Sequence, residues 1–127
     1  MKKIFIVDDD PAMLNLYTRT FKLSGHDVET ATNGQEALDK LSASEQKPDV
    51  ILLDIMMPKL SGFEVLENIK KNDSLAKIPV IALTNLASLR SASSDLEKIR
   101  ALGAVDVVVK SDTDPKELVK RVESLMA

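Results

Sequence analysis

The sequence predicts an α/β fold: a doubly wound, five-stranded parallel sheet with strand order 2-1-3-4-5 and helices on both faces. The 127-residue chain alternates five times between a short apolar stretch and a stretch whose apolar residues have helical spacing. The apolar stretch Val50–Leu53 is unbroken, which is typical of a central parallel strand covered on both faces. Right-handed crossovers leave few arrangements, and this strand order is the one they favour.

The five predicted strands are short stretches rich in β-branched and other aliphatic residues. In chain order they are Lys3–Val7, His26–Ala31, Asp49–Leu53, Ile78–Leu83 and Ala104–Val109. The second alternates between apolar and polar residues, which indicates an outer strand, and His26 is expected on an exposed turn, not as a ligand. Pro79 can be accommodated only near the start of the fourth strand, because proline donates no ladder hydrogen bond.

The five helices are predicted from apolar residues at intervals of three and four. In chain order these residues are Met13, Leu14, Tyr17, Phe21; Ala37, Leu38, Leu41; Phe63, Leu66, Ile69; Leu89, Ala92, Leu96, Ile99; and Leu118, Val119, Val122, Leu125. Asp10-Pro11 and Asp114-Pro115 each match an N-cap followed by proline at the first helical position. Serines near the start of the fourth helix are weak helix formers, so this start is expected to fray.

Composition restricts the function classes. Apolar residues make up 44% of the chain and charged residues 29%, as in ordinary globular domains. The net charge of −3 argues against direct nucleic-acid binding, and the absence of cysteine excludes a disulfide framework and a thiol nucleophile. Because no apolar run approaches transmembrane length and the N-terminal one is too short for a signal peptide, we expect a cytoplasmic protein without membrane insertion. Residues 1–127 are expected to form a single domain.

Three carboxylates follow the ends of two central strands. Asp8 and Asp9 follow the first strand and Asp54 follows the third, and the predicted strand order reverses direction between these two. Open α/β sheets bind ligands in the crevice at such a point. The three charges would repel one another without a cation among them, and an all-oxygen site with room for a phosphate oxygen suits Mg²⁺.

Two further polar residues follow the fourth and the fifth predicted strand. Thr84 supplies a hydroxyl donor after the fourth strand, and Lys110 supplies a cation after the fifth. Either residue alone would mean little. Together with a metal and a carboxylate they are the parts that stabilise a phosphoryl group during transfer, and a carboxylate nucleophile would form an acyl phosphate.

These residues together resemble the receiver domain of two-component response regulators. The resemblance rests on Ile6–Asp10, on Asp54–Pro58 with Gly62, on Thr84 and on Lys110, and it extends over essentially the whole chain. It implies a flavodoxin-like (βα)5 fold and a stand-alone signalling receiver with only self-directed phosphotransfer and slow autodephosphorylation as its own chemistry. It also implies that a histidine kinase or histidine phosphotransfer protein is the partner, with a downstream target that nothing here identifies.

The resemblance implies a role for each site residue. Asp8 and Asp9 would hold Mg²⁺, Asp9 more directly, and Asp54 and the backbone carbonyl of Met56 would complete the protein ligands. Asp54 would accept the phosphoryl group. Thr84 would hydrogen-bond a phosphoryl oxygen, and Lys110 would pair with its charge. The added charge of about −1.5 to −2 would draw the Thr84 loop inward and switch the surface of helix four, strand five and helix five.

Several positions depart from the pattern of the family. Val107 stands where a tyrosine or phenylalanine is usual, so the aromatic switch is absent, and Asn85 follows the threonine in place of a small residue. Ser111 replaces a proline with a cis bond, and since a non-proline cis bond costs about 2.5–4 kcal/mol, we expect a trans or a strained bond. Met56 and Leu86 cannot orient an attacking water, which predicts slow loss of the phosphoryl group.

The same residues bear on three alternative interpretations. A haloacid-dehalogenase-type phosphatase would need threonine or valine at Ala12, and a flavin binder would need a serine-, threonine- or glycine-rich loop where Asp8–Asp10 would repel a phosphate. A phosphorylation-independent receiver-like interaction module is kept open by Val107 and Ser111.

Overall fold

A computed structural model describes residues 2–55, 61–84, 93–110 and 113–126. Strands and helices alternate along the chain as β1 (Lys3–Val7), α1 (Pro11–Leu23), β2 (Asp27–Ala31), α2 (Gly34–Ala43), β3 (Val50–Asp54), α3 (Gly62–Lys71), β4 (Val80–Thr84), α4 (Ser93–Ala101), β5 (Asp106–Val109) and α5 (Pro115–Met126). The strands form one parallel sheet in the order β2-β1-β3-β4-β5. The predicted fold class is therefore confirmed.

Local side-chain bonds explain where the helices begin. The Asp10 carboxylate accepts a hydrogen bond from the backbone N–H of Ala12 at 3.0 Å, directly before the proline that opens α1. Asp114 does the same for the N–H of Lys116 at 2.8 Å at the start of α5. Both predicted N-caps are confirmed, because a short acidic side chain satisfies N–H groups that have no partner within the helix.

Hydrophobic residues on the two faces of the sheet form two clusters. The first core cluster lies under α2, α3 and α4 and includes Ile51 and Leu53 of β3. The second core cluster lies under α1 and α5 and includes Val50 and Leu52. Since successive strand residues point to opposite faces, the unbroken apolar run of β3 is buried from both sides, as predicted. No helix in the described part of the chain has the length and apolarity needed to cross a bilayer.

Three side-chain placements differ from the prediction. Leu125, expected inward, is 41% exposed, because the buried stripe of α5 continues from Val122 to Met126, one full turn further on. Phe63 is only half-buried, and the Lys98 ammonium lies 4.5 Å from the centre of its ring. His26 is not exposed: its Nε2 lies 2.9 Å from Glu123 Oε2 of α5, and its side chain is 10% exposed.

The serine-rich start of the fourth helix was expected to fray at Ser88, Ser91, Ser93 and Ser94. Residues 85–92 lie outside the described residues, and the described part of α4 begins at Ser93. The fourth strand begins at Val80, two residues later than predicted, so Pro79 lies directly before it and not within it. The Pro79 carbonyl accepts a hydrogen bond from the N–H of Ile51 at 3.0 Å, so proline contributes to the ladder through its oxygen alone.

Candidate functional site

Strand register places the candidate site residues side by side. Val7 is paired with Leu53, Asp54 with Leu83, and Thr84 with Val109. The residues that end or follow β1, β3, β4 and β5 therefore meet at the carboxyl edge of one parallel sheet. The structure brings together Asp8, Asp54, Thr84 and Lys110, which are distant in the sequence, in the crevice predicted for them.

The acidic cluster consists of Asp8, Asp9 and Asp54. One carboxylate oxygen from each lies within 4.8 Å of those of the others. Asp8 is completely buried and Asp54 is 3% exposed, whereas Asp9 is exposed. Asp8 Oδ1 accepts a hydrogen bond from the backbone N–H of Asp10 at 2.9 Å, which orients this carboxylate directly after β1.

The geometry of the acidic cluster fits a small divalent cation. Oxygen ligands about 2.1 Å from an octahedral Mg²⁺ lie about 3–4 Å from one another. The three carboxylate oxygens lie within 4.8 Å of one another, which is close to that range. Small side-chain rotations would bring all three to the distances that a bound Mg²⁺ requires. Hard oxygen ligands of this kind favour Mg²⁺, Ca²⁺ or Mn²⁺ over softer metals. The acidic cluster could therefore hold a metal ion.

Lys110 lies between the two buried carboxylates. Its ammonium nitrogen is 3.1 Å from Asp8 Oδ2 and 3.3 Å from Asp54 Oδ2, and its side chain is only 12% exposed. Burial lowers the pKa of Lys110, but the negative charges and hydrogen bonds of Asp54 and Asp8 outweigh it, so the pKa lies above its ordinary value. Sequence reasoning had assigned Lys110 to a phosphoryl group and missed its pairing with the two acids.

Thr84 is the last residue of β4 and is 2% exposed. Its strand lies directly beside the end of β3, where the Leu83 carbonyl accepts a hydrogen bond from the N–H of Ile55 at 3.0 Å. Val107, which stands where the family usually has tyrosine or phenylalanine, is half-buried and packs against the first core cluster. The predictions for Met56, Asn85, Leu86 and the Lys110–Ser111 bond fall outside the described residues.

Gly62 makes a close backbone contact that sequence reasoning missed. A Cβ atom added at Gly62 would lie 2.4 Å from the Cα of Ile55 and 2.5 Å from the carbonyl oxygen of Asp54. The N–H of Gly62 donates to the Ile55 carbonyl at 3.0 Å. The first turn of α3 is thus seated on the backbone that carries Asp54, and only a residue without a side chain leaves room for this contact.

Tyr17 lies in the core position that its helical spacing predicts. It lies on the inner face of α1, is 1% exposed and belongs to the second core cluster. Burial raises the pKa of its hydroxyl to about 12, the positive charge of Lys110 lowers it, and the carboxylates of Asp8 and Asp54 raise it further. Helical spacing indicates this core position but not which charged groups act on the hydroxyl.

Comparisons with known proteins agree with this geometry. The family model described as the response regulator receiver domain matches residues 4–123. A transcriptional regulatory protein CpxR homolog of Haemophilus influenzae is 38% identical over 99% of this chain and 51% of its own length. The chain spans about half the length of the curated relatives it matches.

Solved structures show the same similarity. The chemotaxis response regulator CheY4 of Vibrio cholerae superposes with a TM-score of 0.86 at 30% identity, over 98% of each chain. The phosphorylated cyanobacterial phytochrome response regulator RcpA superposes with a TM-score of 0.81 at 32% identity, over 98% of this chain and 90% of its own. The strand order, the carboxyl-edge crevice and these matches together show that the chain belongs to the response regulator receiver domain family of two-component systems.

Proposed function

We propose that this receiver domain accepts a phosphoryl group on Asp54 from a histidine kinase or a histidine phosphotransfer protein, with Mg²⁺ in the acidic cluster. The observation that carries the proposal is the convergence of three carboxylates and one lysine in a single crevice, two of the acids being almost fully buried. Ionised groups are expensive to bury, so buried charges that converge in one crevice are favoured as a functional site.

In the proposed transfer, an Asp54 carboxylate oxygen attacks the phosphorus of a phosphohistidine. The new O–P bond forms as the P–N bond breaks, and the imidazole nitrogen leaves with the bonding electron pair. Asp8 and Asp9, joined by the Met56 carbonyl, would hold Mg²⁺, which when bound neutralises charge on the phosphoryl oxygens. Thr84 would donate its hydroxyl proton to one of those oxygens.

Lys110 is well placed to follow the charge during transfer. Before transfer its ammonium group is shared between Asp8 and Asp54, at 3.1 and 3.3 Å. When Asp54 becomes an acyl phosphate, negative charge moves from its carboxylate to the phosphoryl oxygens. A lysine ammonium has three N–H donors, so Lys110 can keep its bond to Asp8 and bind a phosphoryl oxygen with another.

The output would be a change in the surface formed by α4, β5 and α5. Without an aromatic side chain at Val107, the signal would travel through movement of backbone and of α4. We propose that residues 1–127 act as one cytoplasmic receiver unit, since each face of the sheet carries a hydrophobic core cluster and CheY4 is matched over 98% of its chain. The downstream protein would bind this surface.

A phosphorylation-independent interaction module is the other candidate. Such a module would have no use for Asp8 and Asp54 as buried carboxylates, and apolar residues of similar size would be easier to keep there. Retention of the acids, Thr84 and Lys110 therefore favours the phosphoacceptor.

Intact mass spectrometry after incubation with acetyl phosphate and Mg²⁺ tests the proposal. We expect the wild type to gain the mass of one phosphoryl group and Asp54→Asn to gain none. Asp49→Asn, an exposed acid at the opposite edge of the sheet, is the matched control and should gain the same mass as wild type. A folded wild-type protein whose mass stays constant with acetyl phosphate and with a phosphohistidine donor would overturn the proposal.

The lifetime of the acyl phosphate is tested with the same assay. Met56 and Leu86 carry no group that can orient water, so we expect slow decay after the donor is removed. Replacing Met56 with a polar residue should speed the decay, and an unchanged decay rate would contradict this explanation.

A further inference from the structure

We propose that α3 carries the phosphorylation signal from Asp54 to α4 through the contact of the Phe63 ring with the Lys98 ammonium group. This contact would take the place of the aromatic switch that Val107 does not provide. The link to phosphorylation rests on the proposed function. The mechanical link from the Asp54 backbone to Lys98 is a property of the unphosphorylated protein and can be tested without phosphate.

The first turn of α3 lies directly on the backbone that carries the phosphoacceptor. The N–H of Gly62 donates to the Ile55 carbonyl at 3.0 Å, and a Cβ added at Gly62 would lie 2.5 Å from the Asp54 carbonyl oxygen. The two stretches of backbone are in contact, and tightly packed interiors transmit small displacements instead of absorbing them. A shift of residues 54–55 on phosphorylation is therefore expected to move the start of α3, where Phe63 is the second helical residue.

The Phe63 side chain connects this turn to α4. Its ring is half-buried and packs against the first core cluster, and Lys98 Nζ lies 4.5 Å from the ring centre. The ring quadrupole attracts a cation placed over its face, so the pair can hold the two helix surfaces together. The hydrogen bond and charge of Lys71 lower the pKa of the Glu67 carboxyl, and the charge of Lys98 adds to this effect. The Lys98 ammonium group thus acts on two residues that lie one turn apart on α3.

A second lysine fixes the C-terminal end of α4 to α3. Lys70 Nζ donates to the Ala76 carbonyl at 3.2 Å, and a Cβ added at Gly103 would lie 2.7 Å from Lys70 Cε. Gly103 follows α4 and has a φ of +104°, which residues with a side chain rarely adopt. Because this end is held, movement of Phe63 would act on α4 at Lys98, more than one turn earlier.

The first test uses unphosphorylated protein without Mg²⁺ and follows the Lys98 side chain by NMR. Phe63→Leu should shift the ¹Hε signals of Lys98 downfield, because protons above an aromatic face are shielded by the ring. Gly62→Ala should also move these signals, because its Cβ would push the start of α3 away from residues 54–55. Gly25→Ala is the matched control and should leave them unchanged, since no atom lies within 4 Å of its added Cβ.

Combining the two substitutions shows whether Phe63 carries the displacement. Gly62→Ala should move the Lys98 signals much less in a Phe63→Leu background than in wild type, because the connecting ring is then missing. Equal shifts in both backgrounds, or unmoved Lys98 signals in folded Gly62→Ala, would overturn the proposal.

The reverse measurement decides if Gly62→Ala fails to fold. A coupling between two sites is reciprocal, so Lys98→Met should speed hydrogen exchange of the Gly62 amide, which donates to the Ile55 carbonyl. Lys71→Met removes another exposed lysine, one that pairs with Glu67 on α3, and should leave this exchange rate unchanged. Equal rates in wild type and Lys98→Met would overturn the proposal.

The second test measures what phosphorylation does to α4. After incubation with acetyl phosphate and Mg²⁺, intact mass gives the occupancy, and NMR gives the change in the backbone amide shifts of residues 97–101. We expect Phe63→Leu and Lys98→Met to lose most of the change seen in wild type. Lys98→Arg should retain it, because a guanidinium group also binds an aromatic face, and so should Lys71→Met.

The outcomes separate the two proposals. A full change in phosphorylated Phe63→Leu and Lys98→Met, or an equal loss in Lys71→Met, would overturn the route through α3. Failure of wild type to be phosphorylated would count against the proposed function, while the first test would still decide the link from Gly62 to Lys98.

Discussion

The two edges of the sheet each hold a lysine among acidic residues, yet they differ in burial. At the amino edge, Lys3 Nζ lies 3.1 Å from Glu29 Oε1, and the two side chains are 17% and 33% exposed. At the carboxyl edge, Lys110 contacts Asp8 and Asp54 at similar distances, but these acidic side chains are 0% and 4% exposed. The chemistry of the pairs is the same; their access to water is not.

The amino-edge lysine also has structural partners. Lys3 Nζ donates to the Gln46 carbonyl at 2.7 Å and to Ser44 Oγ at 3.2 Å, and its backbone N–H donates to Asp49. These bonds attach the segment between α2 and β3 to the start of β1. A solvated pair of this kind contributes little and is replaceable, whereas desolvated carboxylates depend strongly on their cation. The comparison teaches that burial, more than ion pairing itself, distinguishes the candidate site from the structural edge.

The two edges are predicted to differ most in the free energy of unfolding that is lost when their lysine is replaced. We expect Lys110→Met to lower the free energy of unfolding by about 3 kcal/mol, because it leaves two buried carboxylates without a cation. Lys3→Met should lower it by less than about 1 kcal/mol, as for a solvent-accessible pair. Urea denaturation at pH 7 without divalent cations measures the free energy of unfolding of both variants. Equal losses would contradict the claim that burial makes the carboxyl-edge pair more important than the amino-edge pair.

The pH dependence of the Lys110 contribution has a definite sign. The pKa of Lys110 is raised in the folded protein by Asp54 and Asp8 against the lowering effect of burial. Its stabilising contribution is therefore fully present below the unfolded pKa and is lost as the pH rises through the folded pKa. The stability gap between wild type and Lys110→Met should narrow in strongly alkaline solution.

The backbone near the candidate site can be compared with the backbone elsewhere by adding a Cβ atom at one of two glycines. We expect Gly62→Ala to lower the free energy of unfolding by about 2 kcal/mol, because the new Cβ would overlap the backbone of Asp54 and Ile55. Gly25, after α1, has a φ of +91° but no atoms within 4 Å of an added Cβ, so Gly25→Ala should lower it by about 1 kcal/mol through strain alone. Gly62→Ala should also slow phosphorylation, and Gly25→Ala should not; the reverse ranking would contradict the close contact.

Mg²⁺ should stabilise one edge only. If Mg²⁺ is present at about ten times its dissociation constant, we expect it to raise the free energy of unfolding of wild type by about 1.4 kcal/mol. Asp9→Asn should lose most of this gain, because Asp9 contributes a carboxylate to the acidic cluster. Asp49→Asn should retain it. Thermal unfolding with and without Mg²⁺ measures the gain in stability. An undiminished gain in Asp9→Asn would show that Mg²⁺ binds somewhere other than the acidic cluster.

The smallest expected effect is the loss of stability on removing one charge at the protein surface. Hydrogen bonds from Lys40 and Thr32 lower the pKa of the partly exposed Glu36 carboxyl. Its contribution is present above the unfolded pKa and is lost as the pH falls through the folded pKa. Glu36→Gln should therefore lower the free energy of unfolding by only about 0.3 kcal/mol at pH 7 and by nothing in acid. A loss comparable to that of Lys110→Met would invalidate the burial argument.

Local patterns in the sequence determined much of this protein. Short-range rules located the ten elements, the N-caps at Asp10 and Asp114, and the doubly buried strand Val50–Asp54, because each depends on neighbours a few residues away. The parallel topology then placed Asp8, Asp54, Thr84 and Lys110 at one edge, since the strand ends of a parallel sheet must meet there.

Contacts between distant residues were decided only by the tertiary structure. Lys110 reaches Asp8 and Asp54 across separations of 102 and 56 residues. The close contact of Gly62 with the Asp54 backbone and the pairing of His26 with Glu123 are likewise set by how strands and helices pack. Sequence periodicity states which face of an element is buried, but it carries no information on which side chains meet there.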